Sequence, residues 1–431
     1  MKNTCTRKIF TLFLLLILII SSCLPAVTEA EKTATVENSF FDDAIFNAKV
    51  RTMMRIINLP SLVVCVIKND SVVFTGTYGY YKPYLKQKPS LETIYCIGSI
   101  SKTVTATALM QLYERGYFDL DDNINNYLPF EIKNPKFPDV NITFRMLLAH
   151  QSSLGDTLYD VLLPPLRDNI SQWIKERLVP GERFYKERYW KDYPPGENFS
   201  YSNFGFILCS LLIERISGVS FEEYCQENIF IPLDMRDTSF HLQGLDKSRV
   251  ARPYYPLFAE LYFPLYSYDA KCVAACGGLR TTAVDLSHFL IAHMNNGVWN
   301  NVRILNSSTV ENMHSVQYPN VDEPFYGGKI QYGLGWVHLN YSGDLWEGYN
   351  GGAFGFAANM MVHEPDNIGI IMFSNGHVVR PKTKIGYIVC DIRMNLYNQL
   401  GHLFLEKTTV KQNQRDNHIL SERNRITFKG T

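Results

Sequence analysis

The sequence predicts an α/β (α+β) fold. A single antiparallel sheet is built from both ends of the chain, flanked by helices, with a mainly helical region inserted between its halves. Three observations predict this. Two β-rich runs, 62–67 and 71–77, lie near the start, and three more lie within 344–375. The chain between 117 and 260 reads as helices and loops, with no comparable β-rich run.

Taken in order, the first two runs flank Asn69-Asp70, a turn pair that closes a hairpin. A helix over 99–115 follows, in which no charge stands between Lys102 and Glu114, and Gly116 ends it. In the middle region the clearest helices are 144–149 and 204–218, the second again stopped by a glycine. The stretch 277–297 gives a Thr-capped helix ending at Gly297. In the last β-rich stretch, His363-Glu364-Pro365-Asp366-Asn367 turns the chain between two runs. A helix over 383–399 and a polar, poorly ordered tail over 401–431 complete the reading. The organisation is thus a leader over 1–30 and one folded domain over 31–400. Its sheet region covers 45–105 and 265–400, and its helical region covers 106–264.

Composition limits the function classes. The 431 residues are 46% hydrophobic, enough for a large core, and carry 42 basic and 42 acidic side chains. With no block of like charge, a nucleic-acid surface is not expected. No Gly-Lys-Ser/Thr phosphate loop and no HExxH pattern occurs among the ten histidines, so neither a cofactor nor a metal is read from the sequence. Nine cysteines are present, two of them in the leader. Cys65 and Cys209 sit in apolar runs as buried thiols, while Cys272 and Cys276 are close enough in sequence to pair.

Lys2, Arg7 and Lys8 precede an apolar run from Ile9 to Ile20, the length of a signal-peptide core, with a cleavage point after Ala30. Two alternatives stay open: an uncleaved anchor, and a lipobox ending at Cys23 that would leave a lipid there. Each places the rest of the chain outside the cytoplasm. Asn69, Asn141, Asn169, Asn198, Asn306 and Asn340 open glycosylation sequons.

Three short motifs carry chemistry. In "CIGSISKTVTATALMQL" (96–112), Ser99 and Lys102 are three apart on a helix and share a face. Desolvation disfavours an ammonium, and a neutral amine takes a serine proton. The helix N-terminus offers free N–H groups to a developing oxyanion. In "PPGENFSYSNFGF" (194–206), Tyr201 and Asn203 stand on a tight turn before an apolar helix. A phenol relays protons and an amide bonds a substrate or the lysine. In "GYNGGAFGF" (348–356), the glycines suit a strand approached closely by a ligand. Taken singly, each motif also has a structural reading: a capping serine with a snorkelling lysine, a helix-capping asparagine, a bulged strand.

In order and in context, the motifs resemble the serine β-lactamase and penicillin-binding family, particularly class C enzymes and their esterase and peptidase relatives. The similarity extends through "LLAHQSSLGD", where Ser153 replaces the family's usual glycine, and through "GGLRTTAVDLSHFL" and "YGLGW". It spans about 45 to 400. The resemblance implies a β-lactamase-like fold, Ser99 as acylated nucleophile, and Lys102 and Tyr201 as a coupled proton-transfer pair. It further implies Asn203 as a substrate contact, and an oxyanion hole from the N–H groups of Ser99 and Gly352. The family's third motif opens with Lys or His; here Tyr349 stands there, followed by Asn350-Gly351. Tyr349, Gly351 and Gly352 are accordingly the expected substrate-binding positions beside Asn203. The implied partner is a small-molecule or peptide substrate, with membrane contact only through the leader or a lipid; the departure at Tyr349 favours an ester or amide without an obligatory carboxylate, peptide and β-lactam substrates staying open. A non-hydrolytic peptide- or glycan-binding member of the same fold is the alternative.

Overall fold

The computed structural model describes residues 44–156, 158–162, 169–257, 260–267, 269–319, 323–325, 328–341, 344–353, 355–376 and 399–409. The leader, Cys23, most of the helix expected over 383–399 and the tail beyond 409 lie outside the described residues.

The hairpin forms as expected, with β1 over Ser61–Lys68 and β2 over Ser71–Gly79. Asn69 and Asp70 both take positive φ, 49° and 58°, the geometry whose twist matches a two-residue hairpin. The late strands are β3 (Glu323–Phe325), β4 (Gly328–Tyr332), β5 (Val337–Tyr341), β6 (Asp344–Ala353), β7 (Phe356–His363) and β8 (Ile368–Ser374). Together they make an eight-stranded sheet in the order β2-β1-β8-β7-β6-β5-β4-β3. Every neighbouring pair is antiparallel. The two ends of the chain meet where β1 pairs β8, from Val63 opposite Phe373 to Lys68 opposite Ile368. β3 to β5 extend the sheet beyond the runs legible in the sequence, because they are short and interrupt their apolar residues with Gly, Gln and His.

Helices cover both faces, so the first seven residues of β1 are buried. On one side α1 (Ala44–Ile57) contributes Phe46, whose ring lies 5.3 Å from that of Phe404. Phe404 belongs to a helix over 399–409 and is buried together with Leu400 and Leu405. Chain that the sequence assigned to a polar tail from 401 therefore completes the core, and no tail begins before 410. On the other side lies the Thr282-capped helix Ala283–Met294. It comes so close that a Cβ on Gly369 would lie 3.0 Å from Met294 Sδ.

The helices numbered in chain order are α2 Ser101–Glu114, α3 Phe144–Leu148, α4 Ile170–Leu178, α5 Asn203–Ser217, α6 Ala283–Met294 and α7 Ser307–His314, and two short unnumbered helices span Leu158–Leu162 and Phe221–Cys225. All residues of α2 from Ser101 to Leu112 are buried. Its threonines tolerate this because Thr103 and Thr107 donate to the carbonyls of Ile100 and Thr103, each at 2.8 Å. The wrapping segment Ala274–Gly278 accepts a further hydroxyl proton, from Thr105 to the Ala275 carbonyl at 2.8 Å. Within that segment and just before it, Cys276 and Cys272 are both buried thiols, so the disulfide they suggested is not made. They lie within consecutive helical turns, and the Cys276 thiol instead donates to the Val273 carbonyl. Cys65 and Cys209 are buried thiols as expected. Among the described residues no single helix is long and apolar enough to cross a membrane.

Candidate active site

Three chain segments converge at Ser99. The first is a 3₁₀ turn over Gly98–Ile100 that leads into α2, so Ser99 stands just ahead of the α-helix rather than inside its first turn. The tighter turn leaves Ser99 half-exposed while Lys102, on α2, is fully buried. The second segment is the N-terminus of α5, where the Ser202 hydroxyl accepts from Gly205 N–H at 3.0 Å and acts as the cap. That frees Tyr201 and Asn203 for other partners. The third is β6, which carries Tyr349, Gly351 and Gly352.

The Lys102 ammonium nitrogen has three acceptors around it: the Cys276 carbonyl at 2.6 Å, Asn203 Oδ1 at 2.8 Å and Ser99 Oγ at 3.2 Å. The first two are fixed protein oxygens that hold two N–H protons. In a neutral amine the remaining lone pair must then face Ser99, which is the geometry a general base requires. Tyr201 approaches the same oxygen from the other side, with Oη 2.7 Å from Ser99 Oγ.

Asp156 orients this arrangement, and the sequence analysis did not single it out. Its carboxylate accepts from Asn203 Nδ2 at 2.7 Å, from the Ser202 hydroxyl at 3.0 Å and from Phe204 N–H at 3.0 Å. Because Asp156 takes the amide's N–H, Asn203 must present Oδ1 to Lys102. Burial pushes the Asp156 carboxyl pKa up, opposed by those hydrogen bonds and by the Lys102 charge. The signal was its place at the end of "SSLGD", beside a motif, but one carboxylate in a loop has no spacing to mark it.

His150 is the other group missed. It is buried, at φ 57°, and its Nδ1 accepts from Ser202 N–H at 3.1 Å. The ring proton therefore sits on Nε2, which donates to Tyr349 Oη at 3.1 Å. Burial, reinforced by the Lys102 charge, lowers the His150 pKa well below its ordinary value and keeps the ring neutral. Tyr349 in turn hydrogen-bonds to Tyr201, and burial raises its pKa well above the usual phenol range. The result is a relay from His150 through Tyr349 to Tyr201 and Ser99. Tyr349 was expected to meet substrate; instead only 3% of it is exposed. A phenol, unlike a lysine, finds its hydrogen-bond partners inside the protein here.

The two glycines of β6 divide their roles. A Cβ on Gly351 would lie 1.8 Å from the Ile97 carbonyl oxygen, so Gly351 is the point at which β6 packs on the chain entering the Ser99 turn. Gly351 is buried, and Gly352 beside it is exposed. Gly98, at φ +54°, meets Gly352 backbone to backbone: a Cβ there would lie 2.9 Å from Gly352 N. This contact sets the exposed Gly352 backbone against Gly98, the residue before Ser99. Ser153, where the family favours glycine, keeps the left-handed backbone at φ 54° and accepts from Asn134 Nδ2 at 3.0 Å.

Comparison with known proteins agrees with this layout. The family model described as Beta-lactamase matches residues 46–388. The chain is 26% identical over 331 residues to Beta-lactamase-like protein 2 of Dictyostelium discoideum, covering 73% of this chain and 56% of that relative. It thus spans little more than half the length of that curated relative. The octameric penicillin-binding protein homologue from Pyrococcus abyssi aligns at TM-score 0.66 with 25% identity, over 78% of this chain and 73% of its own. The D-amino acid amidase of Ochrobactrum anthropi shares the fold, at TM-score 0.61 and 20% identity, over 83% of this chain and 99% of its own.

Proposed function

The chain belongs to the Beta-lactamase family, and from that premise we propose that it is an extracytoplasmic serine hydrolase that forms an acyl-enzyme on Ser99. The observation that carries the reading is the double approach to one hydroxyl: Lys102 Nζ at 3.2 Å and Tyr201 Oη at 2.7 Å from Ser99 Oγ. In the forward step the Ser99 proton passes to this pair while Oγ attacks the acyl carbon. The carbonyl oxygen takes the negative charge and is met by the N–H groups of Ser99 and Gly352. Collapse expels the alcohol or amine, which receives the proton back from Tyr201 or Lys102. Water then attacks the Ser99 ester by the same route in reverse. A general base of this kind contributes about 10²–10⁴-fold and an oxyanion donor about 10²–10³-fold.

Substrate class follows from Tyr349. The position that in the family carries a cation is here a buried phenol turned towards His150, so that position offers no cation to a substrate carboxylate. Esters and amides without an obligatory carboxylate are the preferred substrates. Export rests on the basic and apolar leader over 2–20, and the six sequon asparagines, all exposed, suit a secretory route. A fluorescent fluorophosphonate should label the purified chain, and Ser99→Ala should abolish labelling. Labelling that survives Ser99→Ala overturns the assignment. Saturable peptide or glycan binding without turnover of any ester or amide would replace it with the non-hydrolytic reading.

A further inference from the structure

We propose that His314, His338, Glu347 and Glu364 form a binding site for one divalent transition-metal ion of the zinc type. The four come from separate elements. His314 ends α7, His338 and Glu347 are direct cross-strand partners on β5 and β6, and Glu364 follows β7. Ligand atoms of His338, Glu347 and Glu364 all lie within 4.8 Å of one another. His314 Nδ1 comes to 2.7 Å from Glu347 Oε1.

A chain of hydrogen bonds fixes what His314 presents. Thr107 Oγ gives its proton to the Thr103 carbonyl, so at 3.0 Å it accepts from His293 Nε2–H. His293 Nδ1 is then bare and accepts from His314 Nε2–H at 3.1 Å. His314 Nδ1, 2.7 Å from Glu347 Oε1, is the ring nitrogen left for a shared cation, either a proton or a metal ion.

The other donors are equally unsatisfied. Glu347 Oε1 and His338 Nε2 are buried with no hydrogen-bond partner, 3.9 Å apart. Glu364 Oε1 is 3.5 Å from His338 Nδ1. Around zinc, with bonds of about 2.0–2.1 Å, tetrahedral donors sit about 3.4 Å apart. Side-chain adjustments of about an ångström would bring His338, Glu347 and Glu364 to that spacing, and His314, outside this group of three, would join beside Glu347. Two imidazoles and two carboxylates suit zinc over magnesium or calcium. The contact of His314 Nε2 with His293 is the outer hydrogen bond that orients a ligating imidazole. With four protein donors the site is closed and structural. It ties α7 to the sheet and, through His293 and Thr107, to α2.

The test uses the full chain stripped with EDTA, then equilibrated with Zn²⁺ and counted by elemental mass spectrometry. One ion per chain should be retained, and Zn²⁺ but not Mg²⁺ should raise the melting temperature. His338→Ala and Glu347→Gln should each weaken binding tenfold or more. Glu364→Gln, on an exposed turn, should do so without disturbing the fold, checked by an unchanged circular dichroism spectrum. Failure to retain an ion, or equal retention by the Glu347→Gln/Glu364→Gln double variant, overturns the proposal. In that case the cluster is an imidazolium–carboxylate pair. Because none of these readouts involves turnover, the result is independent of the Ser99 assignment.

Discussion

Replacing Lys102 by Met keeps the length of the side chain and removes its nitrogen. Two effects separate cleanly. For stability, the Cys276 carbonyl and Asn203 Oδ1 lose their donor at 2.6 and 2.8 Å in a site with no exposure at Lys102. Asn203 cannot turn to help itself, because Asp156 holds its Nδ2 at 2.7 Å. Two buried acceptors left unpaired cost about 2–4 kcal/mol, less what is regained by no longer burying an amine. For chemistry, Ser99 keeps Tyr201 but loses the nitrogen 3.2 Å from its Oγ, and loss of a general base slows acylation about 10²–10⁴-fold. Thermal unfolding followed by circular dichroism reads the first effect. Stopped-flow labelling with a fluorescent phosphonate reads the second on protein still folded at the assay temperature. A variant that melts lower yet acylates at the parent rate would show that Lys102 is a structural residue and refute the proton-transfer role.

Three further outcomes are expected. Tyr349→Phe removes the hydrogen bond that orients the Tyr201 hydroxyl towards Ser99 Oγ. Acylation should fall about 2- to 13-fold, the worth of one neutral hydrogen bond; an unchanged rate would detach His150 and Tyr349 from the chemistry. Gly351→Ala would set a Cβ 1.8 Å from the Ile97 carbonyl oxygen. It should part β6 from the nucleophile turn and abolish labelling, while Gly116→Ala, whose Cβ meets nothing within 4 Å, should leave labelling intact. His150 is held neutral in the fold, with its pKa depressed below the ordinary 6.5. Below pH 6.5 the unfolded chain therefore binds the extra proton, and stability is lost as pH falls, by about 1.4 kcal/mol per pH unit for this group. Urea midpoints at pH 7.5 and 5.0 should differ less in His150→Asn than in the parent.

The legible part of the fold was the part with a period. Asn69-Asp70 between β-rich runs, Gly116 and Gly218 after apolar helices, and the runs of 344–375 all matched local chemistry to structure. β3 to β5 were not legible, since their side chains alternate with glycine and polar residues and pair only because β6 is beside them. Phe404 looked like part of a polar tail because its partners, Phe46 and Phe74, are more than 300 residues away in sequence. In the site, Ser99, Lys102, Tyr201 and Asn203 were marked by spacing and order. Asp156 and His150 act through other residues, Asn203 and Tyr349, and a relation of that kind exists only once α5, β6 and the loop before α4 are assembled. The direction of Tyr349 was likewise a tertiary fact. A sequence position opposite the nucleophile does not say whether its hydroxyl faces substrate or His150.

The most direct measurement is mass spectrometry of the chain quenched in acid during turnover of an activated ester, followed by peptide mapping. An acyl group on the peptide carrying Ser99, absent from Ser99→Ala and accumulating when water attack is slow, is the predicted result. Turnover with no covalent species, or an acyl group on any other side chain, would contradict the account.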